Sequence, residues 1–223
     1  MLTLSSGCSA RHGPDMRGRR CLRLLLVLLI GIFGAVPINA DVLDDIAGRA
    51  GFTGSFEQQV FDTSDVLLAT SEGEFAVLRP SAFRWEVQAP DQQLLIINEG
   101  VLWQYDRDLE TVIRRPAPEG EASPLQLLTA DRNALEARYQ IAPVEEGLEL
   151  TPLQRNDLFQ RLVIAATAPQ RLSLTITDAL DQRIVIQLAL DGEPSPSPAL
   201  FEFEPPEGVE WLEGKLGPLD PAQ

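Results

Sequence analysis

From Phe52 onward the apolar positions of this chain recur at every second residue. Phe52, Phe56 and Val60 alternate with Thr53, Ser55, Glu57 and Gln59, which predicts a strand with one wet face, because side chains two apart on a strand point the same way. A loop is expected over residues 62–71. The stretch RPSAFRWEVQAP, residues 79–90, then reads as the hinge of a β-hairpin and the strand that follows it. Phe75, Val77 and Arg79 share a face before the hinge, and Phe83, Trp85 and Val87 share one after it. Pro80 ends the first strand, Arg84 and Glu86 alternate outward, and Pro90 closes the second. An apolar face thus ends in an arginine, and whatever the protein binds is expected to meet that face.

Further strands follow by the same reading. Residues 94–97 are apolar on both faces, Asn98-Glu99-Gly100 is a turn, and Val101, Trp103 and Tyr105 continue as the next strand. More strands are predicted at 111–114, 139–143, 147–151, 158–166, 172–176 and 184–190, with a last short one at Phe201 and Phe203. Three short helices interrupt the series. One spans 41–51 with Asp41 as its cap; one starts at Ser123-Pro124, a cap followed by proline at the first helical position; and one follows a capping Asp131 and contains Leu135. The segment Asp191 to Pro198, DGEPSPSP, reads as an extended loop. A dozen short strands with tight turns indicate a mainly β protein, one curved antiparallel sheet or incomplete barrel. Few helices are available to cover so many apolar strand faces. Either the sheet curls over itself to make an ordinary core, or it holds an apolar ligand beneath a helical lid.

The start of the chain changes the available chemistry. Arg17, Arg19, Arg20 and Arg23 lead into an apolar run from Leu24 to Val36, and Asn39-Ala40 precede an acidic start at Asp41. This is the pattern of a secretory signal removed after residue 40, with residues 1–15 read as an overcalled start. The apolar run falls short of the roughly 20 residues a spanning helix needs. Residues 1–40 hold both cysteines (Cys8, Cys21), both methionines and the only histidine, His12. They also hold five arginines and one aspartate, so 18 basic and 33 acidic side chains become 13 and 32, and the formal charge moves from −15 to −19. Such a field repels nucleic acid and anionic headgroups. A mature chain over 41–209, with a flexible tail at 210–223, is expected to be soluble and without disulfides.

Without histidine or cysteine the usual general base, thiol nucleophile and zinc ligands are missing, and no phosphate loop or dinucleotide fingerprint is present. No enzyme, cofactor or metal is expected. A carboxylate-based hydrolase is the residual catalytic reading, since 32 acidic residues make some close pair unavoidable.

Several motifs in register carry a family resemblance. They are Phe52 with Phe56-Glu57-Gln58-Gln59-Val60; Arg79-Pro80 with Phe83-Arg84-Trp85 and Pro90; Gly100 with Leu102-Trp103-Gln104-Tyr105; Ser123-Pro124-Leu125 with Leu127-Leu128; and Phe201-Glu202-Phe203 with Pro205-Pro206-Glu207-Gly208-Val209. In these the chain resembles the periplasmic outer-membrane lipoprotein carrier proteins (LolA-like). The resemblance implies an unclosed β-barrel with a helical lid formed by the helices near Asp41 and Pro124. It further implies a periplasmic carrier, acting as a monomer, that takes triacylated lipoproteins from an inner-membrane ABC transporter to an outer-membrane receptor. It implies that Arg79 latches the lid through the backbone of Ile46, Leu128 and Thr129. Phe56, Phe75, Phe83, Trp85, Ile96, Trp103 and Leu125 are the expected lining of an acyl-chain pocket. The competing readings are a structural arginine capping a strand edge, and aromatic residues that are ordinary core. A periplasmic lipid or lipoprotein sensor of similar fold is the alternative function. The loop at 110–121 and the proline-rich DGEPSPSP depart from the family pattern.

Overall fold

A computed structural model describes residues 46, 48–117, 127–145, 147–154, 159–192 and 194–212. The chain divides into residues 1–36 and 37–223, and every described residue belongs to the second unit. The predicted signal segment, most of the helix predicted from Asp41, and the helix start at Ser123-Pro124 lie outside the described residues.

Twelve strands form one sheet: β1 (Gly51–Phe61), β2 (Leu67–Leu78), β3 (Ala82–Ala89), β4 (Gln93–Asn98), β5 (Val101–Asp106), β6 (Thr111–Pro116), β7 (Tyr139–Val144), β8 (Gly147–Pro152), β9 (Arg161–Ala168), β10 (Arg171–Thr177), β11 (Arg183–Leu190) and β12 (Glu210–Leu212). Their spatial order is β12-β6-β5-β4-β3-β2-β1-β11-β10-β9-β8-β7. All neighbours are antiparallel except β12, which runs parallel to β6. Strands β7 and β12 end the order and, among the described residues, do not pair with each other, so the curved sheet stays open. The meander turns about the β1–β11 pair, where Phe56 faces Leu188 and Val60 faces Ile184.

The sequence periodicity and the register together decide what lies on each face. Phe52, Phe56 and Val60 of β1 share the inner face with Phe75 and Val77 of β2, Phe83 of β3, and the alternating leucines and isoleucines of β8 to β11. One helix, α1 (Arg132–Glu136), is capped by Asp131, whose Oδ1 accepts the Ala134 N–H at 2.8 Å, and it buries Leu135 on that face. Ile46, Leu127 and Leu128 pack there too. The outer face of β2 to β5 carries a second cluster, Ala76, Ala82, Leu94, Ile96 and Phe201, with Trp103, Tyr105 and Phe203 against it. That both faces of β4 are buried explains its unbroken apolar run.

Three expectations are corrected. Phe201 is not in a strand: Pro198–Phe201 form a 3-10 helix, because Ser197 caps it by accepting the Ala199 N–H and Pro198 pre-sets the first helical φ. The tail is not free from residue 210, since Glu210–Leu212 pair with Thr111–Ile113 and the Trp211 ring meets Trp103 at 5.9 Å. The loop expected over 62–71 ends early, as β2 begins at Leu67; its first residues are exposed on both faces, so burial writes no alternation there.

Curvature is written into two glycines. Gly54 faces Phe75 and Gly73 faces Phe56 across the β1–β2 pair, each glycine making room for the aromatic ring opposite. A register shift between Glu72 and Gly73 bends β2 against β3. A Cβ on Gly73 would lie 1.9 Å from the Glu86 carbonyl oxygen and 2.9 Å from the Phe56 ring. Gly73→Ala is therefore expected to lower unfolding free energy by about 1–3 kcal/mol in urea titrations. A loss below about 0.5 kcal/mol, the level of a neutral surface change, would show that the close approach is not needed.

Candidate functional site

Arg79 stands where β2 passes into β3, its backbone N–H bonded to the Ala50 carbonyl at 2.9 Å. Its guanidinium has five N–H donors in a fixed fork, and all five are used. Nε donates to the Arg49 carbonyl at 2.9 Å. One terminal nitrogen donates to the carbonyls of Thr129 and Ala130 at 2.5 and 3.0 Å, and the other to those of Ile46 and Leu128, both at 3.0 Å. The acceptors belong to two helical turns. Residues 46–49 are closed by Arg49 N–H to Ile46 O, and 127–130 by Ala130 N–H to Leu127 O. The Ile46 carbonyl is shared between Arg49 N–H and the fork, while carbonyls at the end of a helical turn lack the next turn's donors and carry partial negative charge, so a cation with many donors suits them.

Burial lowers the Arg79 pKa from its usual value, while the charge of Asp131 acts in the opposite direction. Arginine starts so far above neutrality that it stays cationic. Desolvating it is tolerable because every donor is satisfied, and Asp131, which caps α1, adds a favourable charge nearby.

Beside this fork lies the aromatic part of the inner face. Phe56 stacks on Trp85 with ring centroids 3.6 Å apart, and Phe75 and Phe83 lie 6.1 and 6.3 Å from the same indole. Three of the expected lining residues are thus gathered around a fourth, Trp85. Ile96 and Trp103 are not with them. Ile96 pairs with Arg84 on one side and Trp103 on the other, so all three point to the outer face. The inward residues of these strands are Leu95 and Ile97, opposite Trp85 and Phe83, and Leu102, opposite Ile97. Trp103 instead packs on Phe203 and Trp211 with the Arg114 guanidinium 5.3 Å above its ring. Leu125 lies outside the described residues.

Two acceptors, Arg49 and Ala130, were not foreseen. They act through backbone carbonyls, which leave no signature in residue type. Among the described residues no group of three or more histidine, cysteine, aspartate or glutamate side chains is placed to hold a metal ion, and no helix is long and apolar enough to cross a membrane. The outer face holds a polar groove of about 360 Å³, lined by Thr53, Glu74, Arg84, Glu86, Asp191 and Leu200 among others.

Arg79→Lys keeps the charge and loses the fork. Amide hydrogen exchange across residues 127–135 is expected to accelerate about tenfold, the equivalent of about one charged hydrogen bond. Exchange unchanged by the substitution would mean that the fork does not hold this segment.

A sequence model described as outer membrane lipoprotein carrier protein LolA matches residues 48–204. An outer-membrane lipoprotein carrier protein of Alcanivorax borkumensis is 30% identical over 203 residues, covering 86% of this chain and 97% of the relative. Another, of Alkalilimnicola ehrlichii, is 32% identical over 201 residues, covering 88% and 92%. A solved structure of a LolA superfamily protein from Nitrosomonas europaea aligns with TM-score 0.43 at 10% identity over 74% of this chain and 98% of that one.

Proposed function

The chain belongs to the family of outer membrane lipoprotein carrier proteins, and from that membership we propose that it shelters the acyl chains of triacylated lipoproteins and carries them from an inner-membrane ABC transporter to an outer-membrane receptor. It is a periplasmic protein of this family. It acts without catalysis or cofactor, as a monomer.

One observation carries the reading. Every donor of Arg79 is spent on the backbone of two helical turns that lie over an apolar, aromatic face. A strand-edge arginine would face water or a carboxylate. This one joins the β2–β3 hinge to segments 30 to 51 residues away, and holds Ile46, Leu127 and Leu128 on the surface that an acyl chain would occupy.

Energetics gives the arrangement a purpose. Burying a methylene is worth about 0.8 kcal/mol, so one acyl chain of about 14 to 16 carbons exposes over roughly 10 kcal/mol of unfavourable hydration while crossing water. The inner face supplies that shelter once the helical turns lift. The latch is weaker: a charge-assisted hydrogen bond nets roughly 1.5–3 kcal/mol, and cargo or partner displaces it by binding the open state better. Arg79 favours the closed, empty form and thereby promotes release.

Arg79→Leu is accordingly expected to retain an acylated lipoprotein and to pass it on at least about tenfold more slowly, which a reconstituted transfer assay to the receptor measures. Faster transfer by the variant than by the wild type would sink the latch. Mass spectrometry of protein purified from the periplasm should find copurified acyl chains in the variant, and their absence from both forms would count against the carrier reading itself.

A further inference from the structure

Nine large hydrophobic side chains are exposed among the described residues, and their placement is uneven. Leu200, Trp211 and Leu212 belong to the C-terminal arm. The other six, Val66, Leu67, Leu68, Leu109, Leu153 and Leu180, all lie where strands turn at the end of the sheet away from Arg79. The turns at the Arg79 end, through Ser81, Glu99-Gly100 and Pro169-Gln170, carry none.

Three of the apolar-tipped turns are pinned by an aspartate in the same way. Asp62 Oδ1 accepts the N–H groups of Ser64 and Val66 at 2.8 and 2.9 Å. Asp178 Oδ1 accepts those of Leu180 and Gln182, both at 2.8 Å. Asp106 Oδ1 accepts those of Asp108 and Leu109 at 3.1 and 2.9 Å. Arg183 then ties the first turn to β11, donating to Asp65 Oδ1 at 2.8 and 3.1 Å with its guanidinium 4.0 Å above the Phe61 ring. The tips are therefore held in place, so little conformational freedom is lost when a partner covers them.

Charge narrows the choice of partner. Turns 62–66, 107–110 and 178–182 carry six carboxylates, Asp62, Asp65, Asp108, Glu110, Asp178 and Asp181, against two arginines, the adjoining Arg183, which pairs with Asp65, and Arg107. Arg107 is itself engaged with Glu86 at 2.5 Å. An anionic lipid surface is repelled by such a rim, whereas a basic protein surface is steered towards it.

We propose that this end of the sheet is a docking surface for a partner protein that offers apolar sockets set among lysine and arginine side chains. Val66 to Leu68 and Leu180 form its centre, because their hairpins adjoin through the β1–β11 pair, where Phe61 faces Arg183. Leu109 extends it along the sheet. Resting on the carrier reading, the location lets a partner hold the protein while the turns under Arg79, at the other end, stay free to move.

The test puts the photocrosslinking residue p-benzoylphenylalanine at Leu67, and separately at Leu180, in the full chain expressed in the bacterium that encodes it, with Gln170 as the control position. Both tip positions are expected to give an adduct with the same protein, and Gln170 none. That protein, once identified and purified, should bind the chain carrying both Leu67→Ser and Leu180→Ser about tenfold more weakly than the wild type, and the wild type itself about tenfold more weakly as salt rises from about 0.05 to about 0.3 M. Absence of an adduct from both tips overturns the proposal, as does an adduct protein indifferent to the serine pair and to salt. Sedimentation with phosphatidylethanolamine–phosphatidylglycerol vesicles, abolished by the serine pair, overturns it in favour of a membrane contact. The serine pair should take up a fluorescent palmitate as the wild type does. If neither form takes it up, the carrier reading fails while the docking test stands.

Discussion

Five hydrogen bonds from one guanidinium hold this structure in the form described. The carbonyls that accept them come from residues 46, 49, 128, 129 and 130, and those two short turns could not persist alone, because a single helical turn fixes many dihedrals for few bonds. They are ordered by what they lean on: the Arg79 fork at their ends, and the aromatic face under Ile46, Leu127 and Leu128. Breaking the fork takes a charged donor from each of these carbonyls. The interaction is thus local, reaching two short helical turns from one corner of the sheet.

The sheet can act as a rigid cradle because its two faces are finished differently. On the outside, the arm from Pro198 to Leu212 seals the β2–β5 region: Phe201 is buried beside Ala76, Ala82 and Ile96, Phe203 rests on Trp103 and Tyr105, and β12 extends the sheet at β6. Covalent continuity and a strand pairing make that cover permanent. On the inside, the cover described consists of α1 and short helical turns, with few backbone bonds to the strands besides those to Arg79.

The two ends of the sheet also differ, and the difference lies in the turns. At one end Arg79 meets the helical turns. At the other, aspartate-pinned hairpins hold leucine and valine out into solvent within an acidic rim. The two ends of the sheet thus present distinct surfaces joined by the same strands.

Much of this was legible in the chain. Period-two alternation identified nearly every strand, since a half-buried sheet selects apolar residues at every second position. Shared faces around one hairpin put Phe75 with Phe83 and Trp85, whereas Phe56, on β1, was expected beside them only from the family resemblance and reaches Trp85 through the β1–β2 pairing. Asp131 announced the cap of α1. Ser197-Pro198 has the same cap-and-proline pattern, and in the fold it starts a 3-10 helix where the alternation of Phe201 and Phe203 suggested a strand.

What the sequence alone could not decide was which face each alternating set would meet. Ile96 and Trp103 read as well for the inner pocket as Ile97 and Leu102 do, because β4 is apolar on both sides. Only the pairing register, Phe83 with Ile97 and Arg84 with Ile96, sends one set inward and the other under the C-terminal arm. The acceptors of Arg79 were illegible for a related reason: a backbone carbonyl is the same in every residue, and only the folded chain brings five of them within reach of one side chain. Local pattern fixed the elements, and tertiary contact assigned their partners.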